Sequence, residues 1–463
     1  MGWKVISLAV TAMHLVACFP QYHRRSVTIV TGKTATVTER GVDIEIGETF
    51  FRSESLHSRD LSVLAAALYK KKHGCLRVLD AFSGIGSRGS RYLAQAGADF
   101  VHCNDANEDV LEVLERNLRR HTPPGSSHVI THGDAHRVTM DYWMRKDYLD
   151  IVDCDCFGLG AHAITAALHS VRAGGMIYVT STDGRTASGK APHVSLASYG
   201  AWALPRLFLN DGANEQGLRL LIGHAAHEAS KLNLQVTPLF SLYSPHGPVY
   251  RTMLKVDICR SSAQLGEALE VNRRFVAQCE RCGQSAAVPW DRLGAPSAGC
   301  RCGGDGGSSC EVPLMEPDLK GSPQQRPPLP PPPSVRMSGP LWTGALHDRE
   351  TVASMRELAE EWSWGEDVCD LLDVMEQEIH PDLPSFSLGL HTLSRIAGVS
   401  PAPRHLVEAN LEAAGFLVRR THLDMRRGMR TNASVAACVE AVSKADANAQ
   451  RLRNKKLKRK AAM

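Results

Sequence analysis

Arg77-Val78-Leu79-Asp80-Ala81-Phe82-Ser83-Gly84-Ile85-Gly86-Ser87-Arg88 reads as a short strand, a glycine loop and the start of a helix. The apolar pair Val78-Leu79 ends on a carboxylate, and glycines follow at 84 and 86. Glycine there lets the backbone approach a ligand closely. The spacing is not the dinucleotide fingerprint Gly-x-Gly-x-x-Gly. It is not a phosphate loop either, because no Gly-Lys-Ser/Thr follows. Taken alone, the stretch fits a plain strand-to-helix turn equally well.

The flanking sequence repeats the unit. Phe100 to Asp105 is a strand, followed by a helix from Asp109 to Arg120. Val129 to His132 is a strand ending at Gly133-Asp134, and Leu149 to Asp153 is another. Ile177 to Thr180 is a further strand, entered through the Gly174-Gly175 turn. Strands alternating with helices at this rhythm predict an α/β fold with a doubly wound, Rossmann-like parallel sheet, followed by a smaller α+β C-terminal domain. Ligands of such sheets sit at the carboxyl ends of the strands. Three successive strands end on an acid. Asp80 suits the positive amino-acid end or ribose of a ligand, Asp105 the two ribose hydroxyls, and Asp134, with Ala135 beside it, an adenine amine. With Gly84 in the first loop, this pattern predicts S-adenosylmethionine as cofactor, and with it a class I methyltransferase domain.

The fourth strand ends Asp153-Cys154-Asp155-Cys156-Phe157-Gly158. A polar residue followed by an aromatic one at this place suits methyl transfer to an amine. An exocyclic amine on a purine has its lone pair spread into the ring and is a poor nucleophile. A carboxylate that accepts its N–H bonds directs the lone pair, and an aromatic ring holds the base by stacking. Asp155 and Phe157 fit these catalytic roles. The plainer reading is that Asp153 and Asp155 cap the next helix.

The chain has 463 residues, which calls for more than one domain. The expected divisions are 1–25, a targeting segment; 26–262, the methyltransferase domain; 263–320, a Cys-rich segment; 321–334, a Pro-rich linker; 335–443, a C-terminal RNA-binding domain; and 444–463, a basic tail. Lys4, the apolar run Val5 to Phe19, and Arg24-Arg25 resemble a secretory or organelle-targeting signal. A buried strand or a misassigned start reads the same residues equally well. Localisation is therefore expected to be intracellular: nucleus or cytosol, or mitochondrion or plastid if the segment is a targeting signal. No stretch is long enough to span a bilayer, so no stable membrane association is expected. Thirteen scattered cysteines do not form a secreted disulfide framework and suit a reducing compartment. Cys279-x-x-Cys282 and Cys300-x-Cys302 look like the two knuckles of a structural zinc site, although the second pair has one spacer residue too few. Four reduced cysteines is the other reading.

Charge is unevenly placed. Leu346 to Asp382 holds twelve Asp/Glu and two Arg, whereas Arg395 to Met463 holds fifteen Lys/Arg and five Asp/Glu. The basic block suits a surface that meets phosphates. Its last run, Arg451 to Lys460, reads as a disordered phosphate-binding tail or as a nuclear-import signal. Leu390, Leu393 and Ile396, followed by a helix from His405 to Ala414, resemble a winged-helix unit.

From about Glu48 to Asn432 the sequence resembles the tRNA (guanine(26)-N(2))-dimethyltransferases. The resemblance is carried by Phe50-Phe51, Ser58-Arg59-Asp60-Leu61-Ser62, the loop Asp80 to Arg91, Asn104-Asp105, Asp134-Ala135, Asp155-Cys156-Phe157-Gly158 and Thr180-Ser181-Thr182-Asp183. Far along the chain, Gly339 to Gly344, Leu346-His347-Asp348, Arg420-Thr421-His422 and Arg430 to Ala433 also match. The resemblance implies that Arg59, Asp80, Asp105 and Asp134 bind the cofactor and that Asp155 is the catalytic carboxylate. It implies tRNA as the partner and methylation of guanine N2, with zinc in the cysteine segment. Cys156 stands where the family has a proline that stiffens the catalytic loop. Leu56-His57-Ser58 also departs from the family pattern. Two alternatives remain open: methylation of guanine at another tRNA position, and a non-catalytic tRNA-binding or folding protein.

Overall fold

A computed structural model describes residues 35–205, 214–244, 247–279, 284–293 and 335–461. The described chain opens with a hairpin of β1 (Thr36–Glu39) and β2 (Val42–Glu45). Its two-residue turn, Arg40-Gly41, has positive φ at both positions (48° and 84°), the backbone that a tight hairpin requires. Helix α1 (Leu56–His73) follows and ends at Gly74 in the left-handed conformation.

The alternating units come next: β3 (Arg77–Asp80), α2 (Ser87–Ala94), β4 (Phe100–Asp105), α3 (Leu111–His121), β5 (Ser127–His132), α4 (Ala135–Arg145), β6 (Leu149–Cys154), α5 (Ala161–Ser170) and β7 (Val171–Ser181). Two short helices, α6 (Gly184–Ala187) and α7 (Pro192–Tyr199), lead towards α8 (Asn214–Lys231). A long hairpin, β8 (Leu234–Ser244) and β9 (Val249–Ile258), completes a seven-stranded sheet of order β5-β4-β3-β6-β7-β9-β8. The five strands from β3 to β7 are parallel, β9 is antiparallel to β7, and β8 is antiparallel to β9. The strand β6 is buried at all six positions, as a central parallel strand covered on both faces must be.

The chain winds outward from β3 through β4 to β5 and then returns to β6 on the other side of β3. That reversal is the switch point of the sheet, where a crevice opens at the strand ends. There Asp80 and Asp153 stand in register on neighbouring strands.

The remaining chain does not divide where composition suggests. Helix α9 (Ser262–Asn272) leads into β10 (Arg273–Cys279), which pairs with β11 (Ser285–Val288) and with β12 (Val335–Trp342). The expected boundary at 335 therefore cuts through one small sheet, and the one at 263 falls at the start of α9. Helices α10 (Arg349–Glu361) and α11 (Glu366–Gln377) were expected in the second domain. Their apolar faces (Val352, Met355, Val368, Leu372) instead share a core with Leu61, Leu64 and Ala65 of α1. Their many acidic residues are the solvent side of amphipathic helices, and the buried stripe decides where they pack.

An independent second core begins later. It comprises β13 (Leu388–Gly389), α12 (Leu390–Ala397), α13 (Arg404–Ala413), β14 (Val418–Arg420), β15 (Gly428–Thr431) and α14 (Val435–Ala461). The strands form a sheet of order β13-β15-β14, and Leu393, Val407, Leu411 and Val442 fill the space behind it. Strand, two helices and a hairpin in this order make a winged-helix layout. The division at 443/444 is not a break either, because α14 runs through it with Ala445 buried, and its backbone stays helical to Ala461 where disorder was one expectation.

Candidate active site

The carboxyl ends of β3, β4, β6 and β7 surround a cavity of about 270 Å³. Arg59, Gly84, Asp105, Asp155 and Phe157 line it, five of the residues expected from sequence. Asp80, Asp134 and Ala135 do not. Asp80 is buried beneath the loop, and burial beside Asp153 pushes its carboxyl well up. Asp134 instead caps α4, accepting from the Arg137 N–H at 2.9 Å, and Ala135 is buried in the first turn.

One end of the cavity is built from backbone. Gly84 has a left-handed φ of 52°, and the space a side chain would fill is open. Its N–H donates to Asp105 Oδ2 at 2.7 Å, while the Asn107 N–H donates to Oδ1 at 2.9 Å. Both oxygens are fixed in direction, and each keeps lone pairs to spare. Asn104 ties the neighbouring loops together by donating to the carbonyls of Ala81 and Gly133, each at 3.1 Å. Arg59 is committed to protein partners: its guanidinium pairs with Glu39 and lies 4.9 Å over the Phe51 ring.

The other end carries the acid–aromatic loop. Asp155 is partly exposed and lies between two guanidiniums. Arg88 Nη2 is 2.8 Å from Oδ2, and Arg251 Nε donates to Oδ1 at 3.4 Å. Burial alone would raise the Asp155 carboxyl, but Arg88 and Arg251 hold it well below the usual carboxylate range. Asp153, two residues back and fully buried, is pushed up to about 6 by burial against the opposing pull of Arg88. Neither acid caps α5, whose first turn has no side-chain cap, so the capping reading does not apply.

The loop is laced to the end of β7. The Gly158 N–H donates to Thr182 Oγ1 at 2.7 Å, and the Thr182 N–H donates to the Gly158 carbonyl at 2.8 Å. Ser181 Oγ donates to the same carbonyl at 3.1 Å, and Cys156 Sγ to the Thr180 carbonyl at 3.5 Å. These bonds brace the loop at Cys156 and Gly158, and they give the Thr180-Ser181-Thr182-Asp183 motif its role.

Phe157 is 76% exposed, and Phe50, 60% exposed, meets it edge-on with ring centroids 5.8 Å apart. Two large exposed rings at a cavity mouth have no packing reason to be there. Phe50 stood in a quoted motif without a role. Arg251 carried no local signal, because it lies 96 residues from Asp155 in sequence.

Other sites are less suited to this chemistry. A larger groove, about 700 Å³, separates β8 from the second core, and none of the predicted strand-end acids lines it. His347, Glu378 and His422 bring three buried donor groups within 4.8 Å. Glu378, however, already accepts from Arg430 Nε at 2.8 Å and Thr421 Oγ1 at 3.0 Å, so its charge is met within the protein. Of the zinc candidates, Cys279 is buried at the end of β10, while Cys282, Cys300 and Cys302 lie outside the described residues.

A doubly wound sheet with acids at its strand ends and an anchored acid–aromatic loop at the switch point defines a class I methyltransferase. The chain belongs to the N2,N2-dimethylguanosine tRNA methyltransferase family, whose model matches residues 30–443. It is 28% identical to a tRNA (guanine(26)-N(2))-dimethyltransferase of Archaeoglobus fulgidus over 83% of this chain and 92% of that protein. The Schizosaccharomyces pombe protein of the same name is 27% identical over 77% of this chain and 61% of its own length. In fold it is similar to Trm1 from Pyrococcus horikoshii, solved with S-adenosyl-L-methionine, with a TM-score of 0.67 at 22% identity, over 88% of this chain and 99% of that one. Among the described residues no helix is long and apolar enough to cross a membrane.

Proposed function

We propose that this chain transfers one or two methyl groups from S-adenosylmethionine to N2 of the guanine at position 26 of tRNA. The observation that carries the reading is the placement of Asp155, an ionised acceptor beside two exposed rings, in the same cavity as Gly84 and Asp105. The residues fit the cofactor. The open Gly84 cradle admits a close approach, and the fixed Asp105 carboxylate matches a pair of ribose hydroxyls. When bound, the cofactor supplies a methyl group on a positively charged sulfur, and the amine that takes it gives up one proton.

The chain's own contribution is placement. Asp155 accepts the amine N–H bonds and aligns the lone pair; a charged acceptor does this about twice as well as a neutral one. Phe157 and Phe50 hold a base that has left its stack. Reaching the methyl in line is a matter of proximity and orientation, which suits a rigid loop. The second core and the basic sequence of α14 hold the tRNA body through its phosphates. Methyl transfer to tRNA transcripts with guanine or adenine at position 26, with the product nucleosides identified, tests the reading. N2-methylated guanosine from the first transcript alone supports it; no product overturns it.

We also propose that Cys279, Cys282, Cys300 and Cys302 hold one structural zinc. The paired cysteine spacing and the anchoring of Cys279 at a strand end support this reading.

A further inference from the structure

The two arginines on Asp155 are not equivalent. Both are buried, but Arg88 is an anchor: it meets Asp155 at 2.8 Å and Asp153 at 3.0 Å, and its guanidinium lies 4.9 Å over the Tyr178 ring. Arg251 comes from β9, in register with Thr180 on β7, and lines the cavity. Its contacts are all long: 3.4 Å to Asp155 Oδ1, 3.2 Å to Ser244 Oγ and 3.4 Å to Ser55 Oγ. A guanidinium has five N–H donors in a planar fork and no acceptor. Donors held this loosely at a cavity wall exchange readily for a ligand acceptor.

We infer that Arg251 is a specificity-determining residue, whose guanidinium donates to the carbonyl oxygen of the guanine ring while Asp155 takes the amine. The inference rests on the guanine-N2 reading above. A guanine presents, along one edge, an amine donor, a ring N–H donor and a carbonyl acceptor. The wall presents the complement: the Asp155 acceptor with the Arg251 donor beside it. Adenine has a ring acceptor and an amine on that edge, which would face acceptor to acceptor and donor to donor. A site built to hydrogen-bond a substrate group discriminates strongly against an analogue lacking it, because its own polar group is left unpaired.

The test uses single-turnover methyl transfer to two tRNA transcripts, one with guanine and one with 2-aminopurine at position 26. The analogue keeps the amine but lacks both the carbonyl oxygen and the ring N–H, so it is the change in preference on substituting Arg251 that isolates the carbonyl contact. The wild-type protein should prefer guanine by about tenfold or more. Arg251→Met should lose far more of its rate on guanine than on 2-aminopurine, so the preference collapses. Arg251→Lys, a single-point donor, should fall between the two. An equal fall on both substrates would show that Arg251 only positions Asp155 and would overturn the inference. Equal wild-type rates on the two transcripts would overturn it without any variant. Failure of the wild type to methylate guanine at all would instead defeat the functional reading beneath it.

Discussion

Arg88 Nη2 lies 2.8 Å from Asp155 Oδ2, and the same guanidinium reaches Asp153 Oδ1 at 3.0 Å. One buried cation thus serves a carboxylate near the end of β6 and another in the loop just past it. Removing it leaves buried Asp153 with no cation, only the Tyr92 hydroxyl at 2.7 Å, and Asp155 with only the longer Arg251 contact at 3.4 Å. Arg88→Met should therefore destabilise the fold by about 3–5 kcal/mol, as breaking a buried ion pair does. Denaturant unfolding measures this; a loss under about 1 kcal/mol would mean the pair is not formed as described.

Phe157 and Phe50 make a second prediction. Stacking on a base contributes about 1–3 kcal/mol per ring. Phe157→Ala should weaken turnover on tRNA by about 10–100-fold, with cofactor binding unchanged. Because Phe157 is exposed, thermal stability should barely move. A variant with full activity would remove the ring from the base site.

Glu378 links the two cores. It accepts from His422, Thr421 and Arg430, and Arg430 also reaches Glu215 at 3.2 Å on α8. Burial alone would raise the Glu378 carboxyl, but His422 and Arg430 hold it well below its ordinary value of 4.5. A depressed carboxyl contributes stability above the unfolded value, and that contribution is lost as pH falls below it. The melting temperature of the wild type should therefore drop more steeply than that of Glu378→Gln between about pH 6 and pH 3.5. Parallel curves would show that Glu378 carries no such linkage.

Zinc is checked by elemental analysis of protein never exposed to chelator. About one zinc per chain is expected, falling after Cys279→Ser. Metal-free protein that is folded and active would exclude the site.

Much of this was legible because parallel sheets impose their logic locally. The runs ending at Asp80, Asp105 and Asp153 announced their strands, since each carries an apolar stretch (Val78-Leu79, Phe100-Val101, Ile151-Val152) before the acid at the crevice. Asp155 and Phe157 were legible because the loop that ends a strand at the switch point is short and fixed in place. Asp134 reads two ways for a physical reason: an acid after a strand is also an acid before a helix, and in the structure it caps α4. Arg251 could not be read from its neighbours, because the long β8–β9 hairpin brings it to the site from across the sheet. The boundary at 335 was drawn from a composition shift, whereas strand pairing with β10 and the apolar stripe of α10 decide where that segment packs.

Asp155 carries the central claim, and one measurement tests it most directly: single-turnover methyl transfer to tRNA by Asp155→Ala and Asp155→Asn under saturating cofactor and tRNA. The account predicts loss of methyl transfer for Asp155→Ala with cofactor and tRNA affinities little changed. Asp155→Asn should retain part of the rate, since an amide oxygen still accepts a hydrogen bond. Near-normal single-turnover rates for Asp155→Ala would contradict the account.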